Sequence, residues 1–328
     1  MKIVVDAMGG DFAPENVIAG AVEALKEFKV TIVLVGIQER IEAELKKHQY
    51  PKDRIEIVHA PEIVEMDDHA AVAIRQKRKS SITVGVGLLK QPEYDAFISA
   101  GNTGACVAAS TIVLGMIPGV DRPGIGVVIP TLNKFSFMID MGANTAAKPE
   151  HLVQYAKMAK VYVQEVLDIA KPSVGLLNIG SEEGKGTDLE KEAHKLLEEK
   201  EPNFIGNIEA NEIYSGKAHC IVCDGYVGNI TLKVSEGLME SVGMLMKREI
   251  KKSPIAILGA LLLKSSLKEA KRSIDYSEYG GAPLLGVDGL VLISHGRSSP
   301  KAIKNAIRAA IREVDHDILT KIKAEAEK

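Results

Sequence analysis

Residues 2–36 read KIVVDAMGGDFAPENVIAGAVEALKEFKVTIVLVG, and this stretch decides the fold class. Lys2–Asp6 (KIVVD) is a short β-branched run of the kind that forms a buried strand, and Gly9-Gly10 follows it. Pro14 then opens a helical run to about Phe28, since proline is tolerated in a first helical turn. Residues 30–35 (VTIVLV) make a second apolar strand, closed by Gly36. Strand, helix and strand in this order form a right-handed crossover between parallel strands.

The same arrangement recurs along the chain. Residues 41–47 read as helical, and Ile55–His59 and Ala96–Ser99 as strands, the latter followed by an Ala/Val/Leu helix. Residues 135–140, Val174–Asn178 and 218–224 (AHCIVCD) each give a strand, a Gly/Asn turn and a helix. Residues 290–294 form the last strand, and a long helix starts near Pro300. No linker or charge block divides the chain. The expectation is one α/β catalytic domain over 1–328, with two lobes around a cleft as a variant. Its sheet is open and mostly parallel, with helices on both faces.

Composition narrows the function classes. The 328 residues carry 41 Lys+Arg against 44 Asp+Glu, a net charge of −3, with 46% hydrophobic and 4% aromatic residues. This chain buries a large core, and it lacks the basic excess of a nucleic-acid binder. Three cysteines, Cys106, Cys220 and Cys223, are too few for a disulfide framework and suit a reducing compartment. The apolar run at the N-terminus is too short for a signal peptide, and no stretch reaches the roughly 18–20 apolar residues of a membrane span. The expected location is cytoplasmic.

Ligands in open parallel sheets bind beyond the carboxyl ends of the strands. Six strand ends carry unusual loops: Asp6-Ala-Met-Gly9-Gly10-Asp11, Ser99-Ala-Gly101-Asn102-Thr103-Gly104, Asp140-Met-Gly142-Ala-Asn144, Asn178-Ile-Gly180, Asp224-Gly225 with Gly228-Asn229, and Ser294-His295-Gly296. One such glycine loop reads equally as a tight turn or as a ligand contact. Six loops gathered at one sheet edge, each leading to free N–H groups of a helix, point to a phosphate or carboxylate ligand.

Named motifs do not fit. Gly180-Ser-Glu-Glu-Gly184-Lys185-Gly186-Thr187 has glycines one residue too close for a Walker loop, and Gly follows its lysine. Gly85-Val-Gly87 lacks a third glycine and lies in an apolar helical run. Gly-x-Ser-x-Gly and His-Glu-x-x-His are absent. Cys220-x-x-Cys223 has no second pair, and on a strand its sulfurs face opposite sides, so it reads as core rather than zinc site.

Lys185, isolated between Gly184 and Gly186, is assigned to anion neutralisation. Asn229 and Asn102 are assigned to phosphate or oxyanion hydrogen bonds, and His295 to proton exchange or orientation. Lys185, Asn229 and His295 form the candidate catalytic set. Gly9, Gly10, Gly101, Asn102, Thr103, Gly104, Asp140, Asn144, Gly184, Gly186, Asp224 and Gly228 form the candidate substrate-binding set. The basic run Arg75-Gln-Lys77-Arg78-Lys79 reads as a solvated face, or, with the Ser80-Ser81 helix cap behind it, as a run oriented toward the cleft. Arg297 lies near the last helix N-terminus, while His59, His69, His151 and His219 lack a comparable setting.

At these loops the sequence resembles the bacterial phosphate acyltransferase family of phospholipid synthesis (PlsX). The matching segments are VDAMGGD (5–11), SAGNTGA (99–105), DRP (121–123), DMGAN (140–144), KPEHLVQYA (148–156), LLNIG (176–180), FIGNIEA (204–210), DGYVGNITLK (224–233) and YGGAPLLG (279–286). Arg297 departs from the family pattern, which often has a smaller residue there. The resemblance implies transfer of a fatty acyl group from acyl carrier protein to inorganic phosphate. It implies a fold like isocitrate and isopropylmalate dehydrogenases and phosphotransacetylase, and a homodimer.

The residues suit that chemistry. Phosphate is already an oxyanion and a thiolate leaves readily, so the site has only to position two anions and stabilise a tetrahedral oxyanion, without cofactor or metal. The alternatives are an NAD-dependent dehydrogenase of the same fold and a non-enzymatic lipid-surface scaffold. The first needs clustered carboxylates for metal, and the second leaves the Gly/Asn loops unexplained. One further segment, 247–272, sets the aliphatic run IAILGALLL (255–263) between eight basic residues and only two glutamates. It reads as a peripheral contact with anionic membrane, or else as a dimer interface or a buried hairpin.

Overall fold

The computed structural model describes residues 1–266 and 280–328. Its strands are β1 (Lys2–Asp6), β2 (Thr31–Gly36), β3 (Ile55–His59), β4 (Ala96–Ser99), β5 (Gly124–Thr131), β6 (Lys134–Ile139), β7 (Val174–Asn178), β8 (Phe204–Glu209), β9 (Cys220–Val222), β10 (Ala282–Leu285) and β11 (Leu290–Ile293). The helices are α1 (Glu15–Glu27), α2 (Gln38–Leu45), α3 (Ala70–Gln76), α4 (Ser81–Leu88), α5 (Thr103–Val113), α6 (Pro149–Val166), α7 (Asp188–Lys200), α8 (Gly225–Ile250), α9 (Pro254–Leu262), α10 (Pro300–Asp315) and α11 (Ile318–Ala326).

The strands form one sheet in the order β3-β2-β1-β4-β11-β10-β5-β6-β9-β7-β8. Side chains alternate across it as strand geometry requires. Ile3 and Val5 face a core shared with Ile18 and Leu25 of α1 and Ile303 and Ile307 of α10, whereas Val4 faces Val86 of α4 and Cys106 of α5. Each large aliphatic residue buried in this way stabilises the fold by about 1.5–3 kcal/mol. On the far half of the sheet, Phe137, Val174, Leu176 and Val222 pack with Leu152, Tyr155 and Val163 of α6.

Pairing is parallel within β3-β2-β1-β4-β11 and again within β6-β9-β7-β8. Between these blocks, β10 runs antiparallel to both β11 and β5, and β5 runs antiparallel to β6. The two parallel blocks therefore run in opposite directions. β5, β8 and β10 are strands beyond those expected from the sequence pattern. Pro130 in β5, the glycines of β5 and β8, and Pro283 in the four-residue β10 weaken the local strand signal.

This reversal corrects the expectation that all six loops share one sheet edge. The loops after β1, β4 and β11 lie at the carboxyl edge of the first block. Those after β6, β7 and β9 lie at the carboxyl edge of the second, which in hydrogen-bond register is the opposite edge. At the usual rotation of about 20–25° per strand, five steps from β4 to β9 amount to roughly 100–125°, which offsets much of the reversal.

Candidate active site

The first loop cluster is built around Asp6, whose carboxylate is buried where β1 ends. It accepts from the Ser99 hydroxyl at 2.7 Å and from the Met8 amide at 3.0 Å. Burial pushes this carboxyl above its ordinary range, against the hydroxyls of Ser81 and Ser99 and the amides of Met8 and Gly9. Ser99 Oγ also accepts from the Gly101 amide at 3.0 Å, which joins the β1 and β4 loops. The β11 loop joins through the Gly296 carbonyl, which accepts from the Asp11 amide at 2.8 Å. Gly10, at φ +102°, is needed here: a Cβ would lie 2.8 Å from that same carbonyl. Gly9 packs against Gly101, a Cβ at Gly9 lying 2.7 Å from the Gly101 nitrogen.

Asn102 does not present a free amide. Its Oδ1 caps α5 by accepting from Ala105 N at 3.0 Å. Its Nδ2 donates to the carbonyls of Glu65, Met66 and Asp68 at 3.2, 3.1 and 3.0 Å. Its assignment to phosphate is therefore corrected: Asn102 ties the 65–68 segment to the site. Thr103 and Gly104 lie exposed in the first turn of α5. His295 is also exposed, and its Nδ1 accepts from the Arg297 amide at 3.1 Å, which leaves Nε2 as the free ring nitrogen. In the basic run, Lys77 pairs with Asp68, Arg75, Arg78 and Lys79 are exposed, and Ser80 caps α4.

The second cluster centres on Asp140 at the end of β6, fully buried. Oδ1 accepts from Ile125, Gly142 and Ala143 amides, each at 2.9 Å, and Oδ2 accepts from Asn144 N at 2.7 Å. Burial raises its pKa, and these four amides oppose the rise. A carboxylate spent in this way organises its loop and has no face left for a substrate or a metal, so its place in the binding set is corrected. Asn144 is spent too, donating to Tyr155 OH at 3.1 Å, meeting His151 Nδ1 at 3.2 Å and accepting from Ala146 N at 3.3 Å.

The amides at the start of α8 are likewise taken. Asp224 Oδ1 caps Tyr226 N and Val227 N at 2.8 and 3.1 Å. Gly225 N donates to the Asn144 carbonyl and Gly228 N to the Asp224 carbonyl, each at 3.0 Å. The expected anion site at this helix N-terminus is thus filled by the protein itself. Gly228 is required because a Cβ there would overlap the Asp140 carbonyl.

Two polar side chains of this cluster remain available. Asn229, half-buried against Gly142, makes no side-chain hydrogen bond among the described residues. Lys185, half exposed between Gly184 and Gly186, has, among the described residues, only Glu182 Oε1 at 3.7 Å beside its Nζ. β9 and β7 are adjacent and parallel, so the start of α8, which carries Asn229, and the Lys185 loop leave the same edge. No hydrogen bond joins the two clusters among the described residues. Asp6, a buried organiser of its loops, lies outside the residue set expected from the sequence. Its signal is shared with Asp140: an aspartate ends a strand and a glycine loop follows.

No cysteine offers a nucleophile. Cys220 and Cys223 lie on opposite faces of the sheet, as strand alternation requires, and burial pushes both thiols well up. Cys106 is pushed up to about 12 by the same cause. Among the described residues no group of three or more His, Cys, Asp or Glu is placed to hold a metal.

The chain matches the fatty acid synthesis protein family over residues 1–321. It is 49% identical over 322 residues to the phosphate acyltransferase of Alkaliphilus oremlandii, covering 98% of this chain and 96% of that one. Its identity to the Clostridium novyi phosphate acyltransferase is 45% over 328 residues, 100% of this chain and 99% of that one. A phosphotransacetylase from Streptococcus pyogenes superposes with a TM-score of 0.67 at 18% identity, covering 96% of this chain and 94% of that one. A 4-hydroxythreonine-4-phosphate dehydrogenase from Klebsiella pneumoniae gives 0.53 at 11% identity, covering 96% and 99%. These two establish the fold alone, of the phosphotransacetylase and dehydrogenase kind. Identity near one half, running almost end to end, makes the chain an acyltransferase of the fatty acid synthesis protein family.

Proposed function

We propose that this acyltransferase moves a fatty acyl group from the thioester of an acyl carrier protein to inorganic phosphate. A phosphate oxygen attacks the thioester carbon, and a tetrahedral oxyanion forms. The C–S bond then breaks, leaving an acyl phosphate and a carrier thiolate that takes up the proton lost by the phosphate. Lys185 neutralises the attacking anion, and the Asn229 amide donates to phosphate or oxyanion. The observation that carries this reading is the division of labour at the second cluster. Asp140, Asn144 and Asp224 are consumed by bonds within the protein, while Asn229 at the start of α8 makes no side-chain hydrogen bond among the described residues and Lys185 in the neighbouring loop has only an exposed ion pair with Glu182 there. With every thiol buried and protonated, direct attack is favoured over an acyl-cysteine intermediate.

The test is incubation with long-chain acyl carrier protein and phosphate, without NAD or added metal. Phosphate-dependent release of the carrier thiol and an acyl phosphate by mass are expected. Folded protein that releases no thiol above background would sink the reading.

A homodimer and a membrane contact belong to the same proposal. Along α8, Val234, Leu238, Val242 and Leu245 are exposed, and in α9 so are Ile255, Leu258, Leu261 and Leu262. Lys247, Arg248, Lys251, Lys252 and Lys264 flank α9. Lys268, Lys271 and Arg272 of the basic segment, and Tyr279, lie outside the described residues. No helix among the described residues is long and apolar enough to cross a membrane. We assign α8 to pairing with a second copy and α9 to the surface of an anionic membrane.

A further inference from the structure

The loop that carries Lys185, residues 179–187, joins β7 to α7 and holds no helix or strand of its own. Two buried asparagines shape it from beneath. Asn178, the last residue of β7, donates from Nδ2 to the Lys185 carbonyl at 3.1 Å and accepts at Oδ1 from Ile179 N at 2.8 Å. Asn207, on β8, donates from Nδ2 to the Glu182 carbonyl at 2.9 Å. That carbonyl also accepts from the Lys185 amide at 3.1 Å, which closes a turn.

A third buried side chain stands behind them. His194 of α7 meets Asn207 Oδ1 with Nδ1 at 3.0 Å, and its ring lies edge-on to Phe204. The Asn207 NH2 group is committed to a carbonyl, so its oxygen faces the ring and His194 carries hydrogen on Nδ1. His194, Asn207 and Asn178 are only 5%, 3% and 6% exposed. Polar groups buried to this degree are costly unless each is paired, and aliphatic residues fill the neighbouring strand positions Leu176, Leu177 and Ile208. The polar side chains make sense through the two carbonyls that they hold, Glu182 and Lys185.

We propose that His194, Asn207 and Asn178 are positioning residues that hold the Lys185 loop in the shape that presents its ammonium to phosphate. This rests on the anion-binding role given to Lys185 above. The Lys185–Glu182 ion pair is too exposed to fix the ammonium by itself. Gly184 and Gly186 supply no side chain that packs the loop, so its order comes from backbone hydrogen bonds. The chain His194–Asn207–Glu182 ties the loop to α7, and Asn178 ties it to β7. A loop released from these ties would spread over many conformations, and phosphate binding would bear the cost of ordering it again.

Steady-state kinetics on the full chain test this, with phosphate and acyl donor varied separately. Asn207→Leu and His194→Leu are expected to raise the phosphate KM by about tenfold while the acyl-donor KM changes less than about twofold. His194→Asn, whose amide restores a donor near the Nδ1 position, should recover most of the loss. Amide exchange across 182–187 should quicken in both leucine variants and not in His194→Asn. An unchanged phosphate KM in His194→Leu, alongside a raised one in Lys185→Ala, overturns the positioning role and leaves the Lys185 reading standing. An unchanged phosphate KM in Lys185→Ala overturns both. If Asn207→Leu does not fold, the His194→Leu and His194→Asn pair decides by itself.

Discussion

The contrast at the level of single residues is between side chains spent on backbone and side chains left free. Lys185→Ala and Asn229→Ala are expected to lower turnover by about tenfold or more, as removal of a donor aimed at developing charge does, with little change in Tm. A near wild-type rate in Lys185→Ala removes it from the site. Asn102→Ala belongs to another class, because it deletes a helix cap and leaves three carbonyls without their donor. It should lose about 1–2 kcal/mol and a few degrees of Tm in thermal melts, with any loss of activity following the fold. His295→Ala, at an exposed ring, is expected to reduce turnover without that loss of Tm. An unaltered melt for Asn102→Ala would contradict the tether.

At the scale of elements, α8 and α9 stand out. α8, 26 residues long, spans about 39 Å, and only Gly225 and Gly228 at its start are buried. An exposed apolar face of that length on a water-facing helix calls for a partner. If α8 pairs two copies as proposed, the wild-type chain has dimer mass by light scattering and Val234→Lys with Leu238→Lys lowers it to that of a monomer. α9 differs because its nine residues reach about 14 Å, less than half of a bilayer core of roughly 30 Å. An apolar tip ringed by lysines gains roughly 1 kcal/mol per basic residue near an anionic surface. Leu258→Glu with Leu262→Glu should abolish co-sedimentation with anionic vesicles while the wild-type mass in solution and soluble thiol release persist. A monomeric or unfolded double variant would place α9 in an interface instead.

The whole molecule is held together across the antiparallel centre of its sheet, and one contact there titrates. Glu313 of α10, packed on the first block, accepts from the hydroxyl of Tyr162 of α6, packed on the second, at 3.1 Å. Burial pushes the Glu313 carboxyl up to about 8 from 4.5, opposed by the Tyr162 hydrogen bond. Between pH 4.5 and 8 the unfolded chain ionises this group and the folded chain does not. Unfolding therefore releases a proton, and stability falls as pH rises through that window, by an amount on the order of a few kcal/mol. Glu313→Gln removes the titration and keeps an acceptor for Tyr162. The Tm difference, variant minus wild type, should grow from pH 5 to pH 8 and then level off. A difference that is flat with pH would show that Glu313 ionises normally.

Much of this architecture is local and was therefore legible in the chain. The β-branched run Lys2–Asp6, the helix behind Pro14, and the Gly/Asn turns after strand ends each follow from residues a few positions apart. So did the isolation of Lys185 between glycines, and the opposite facing of Cys220 and Cys223. Strand direction across the sheet was not legible, because β10 near the end of the chain slots between β11 and β5, and nothing local in either partner marks that pairing. The fate of the polar loop residues was hidden for the same reason. Asp140 and Asn102 look like substrate-binding residues until the fold brings the Ile125 amide and the 65–68 carbonyls against them. The sequence by itself determined the elements and the loops that follow them, since these are set by short-range sterics and periodicity. Only the tertiary structure decided which polar groups face a ligand, since a hydrogen-bonding group is free or spent according to what long-range packing places beside it.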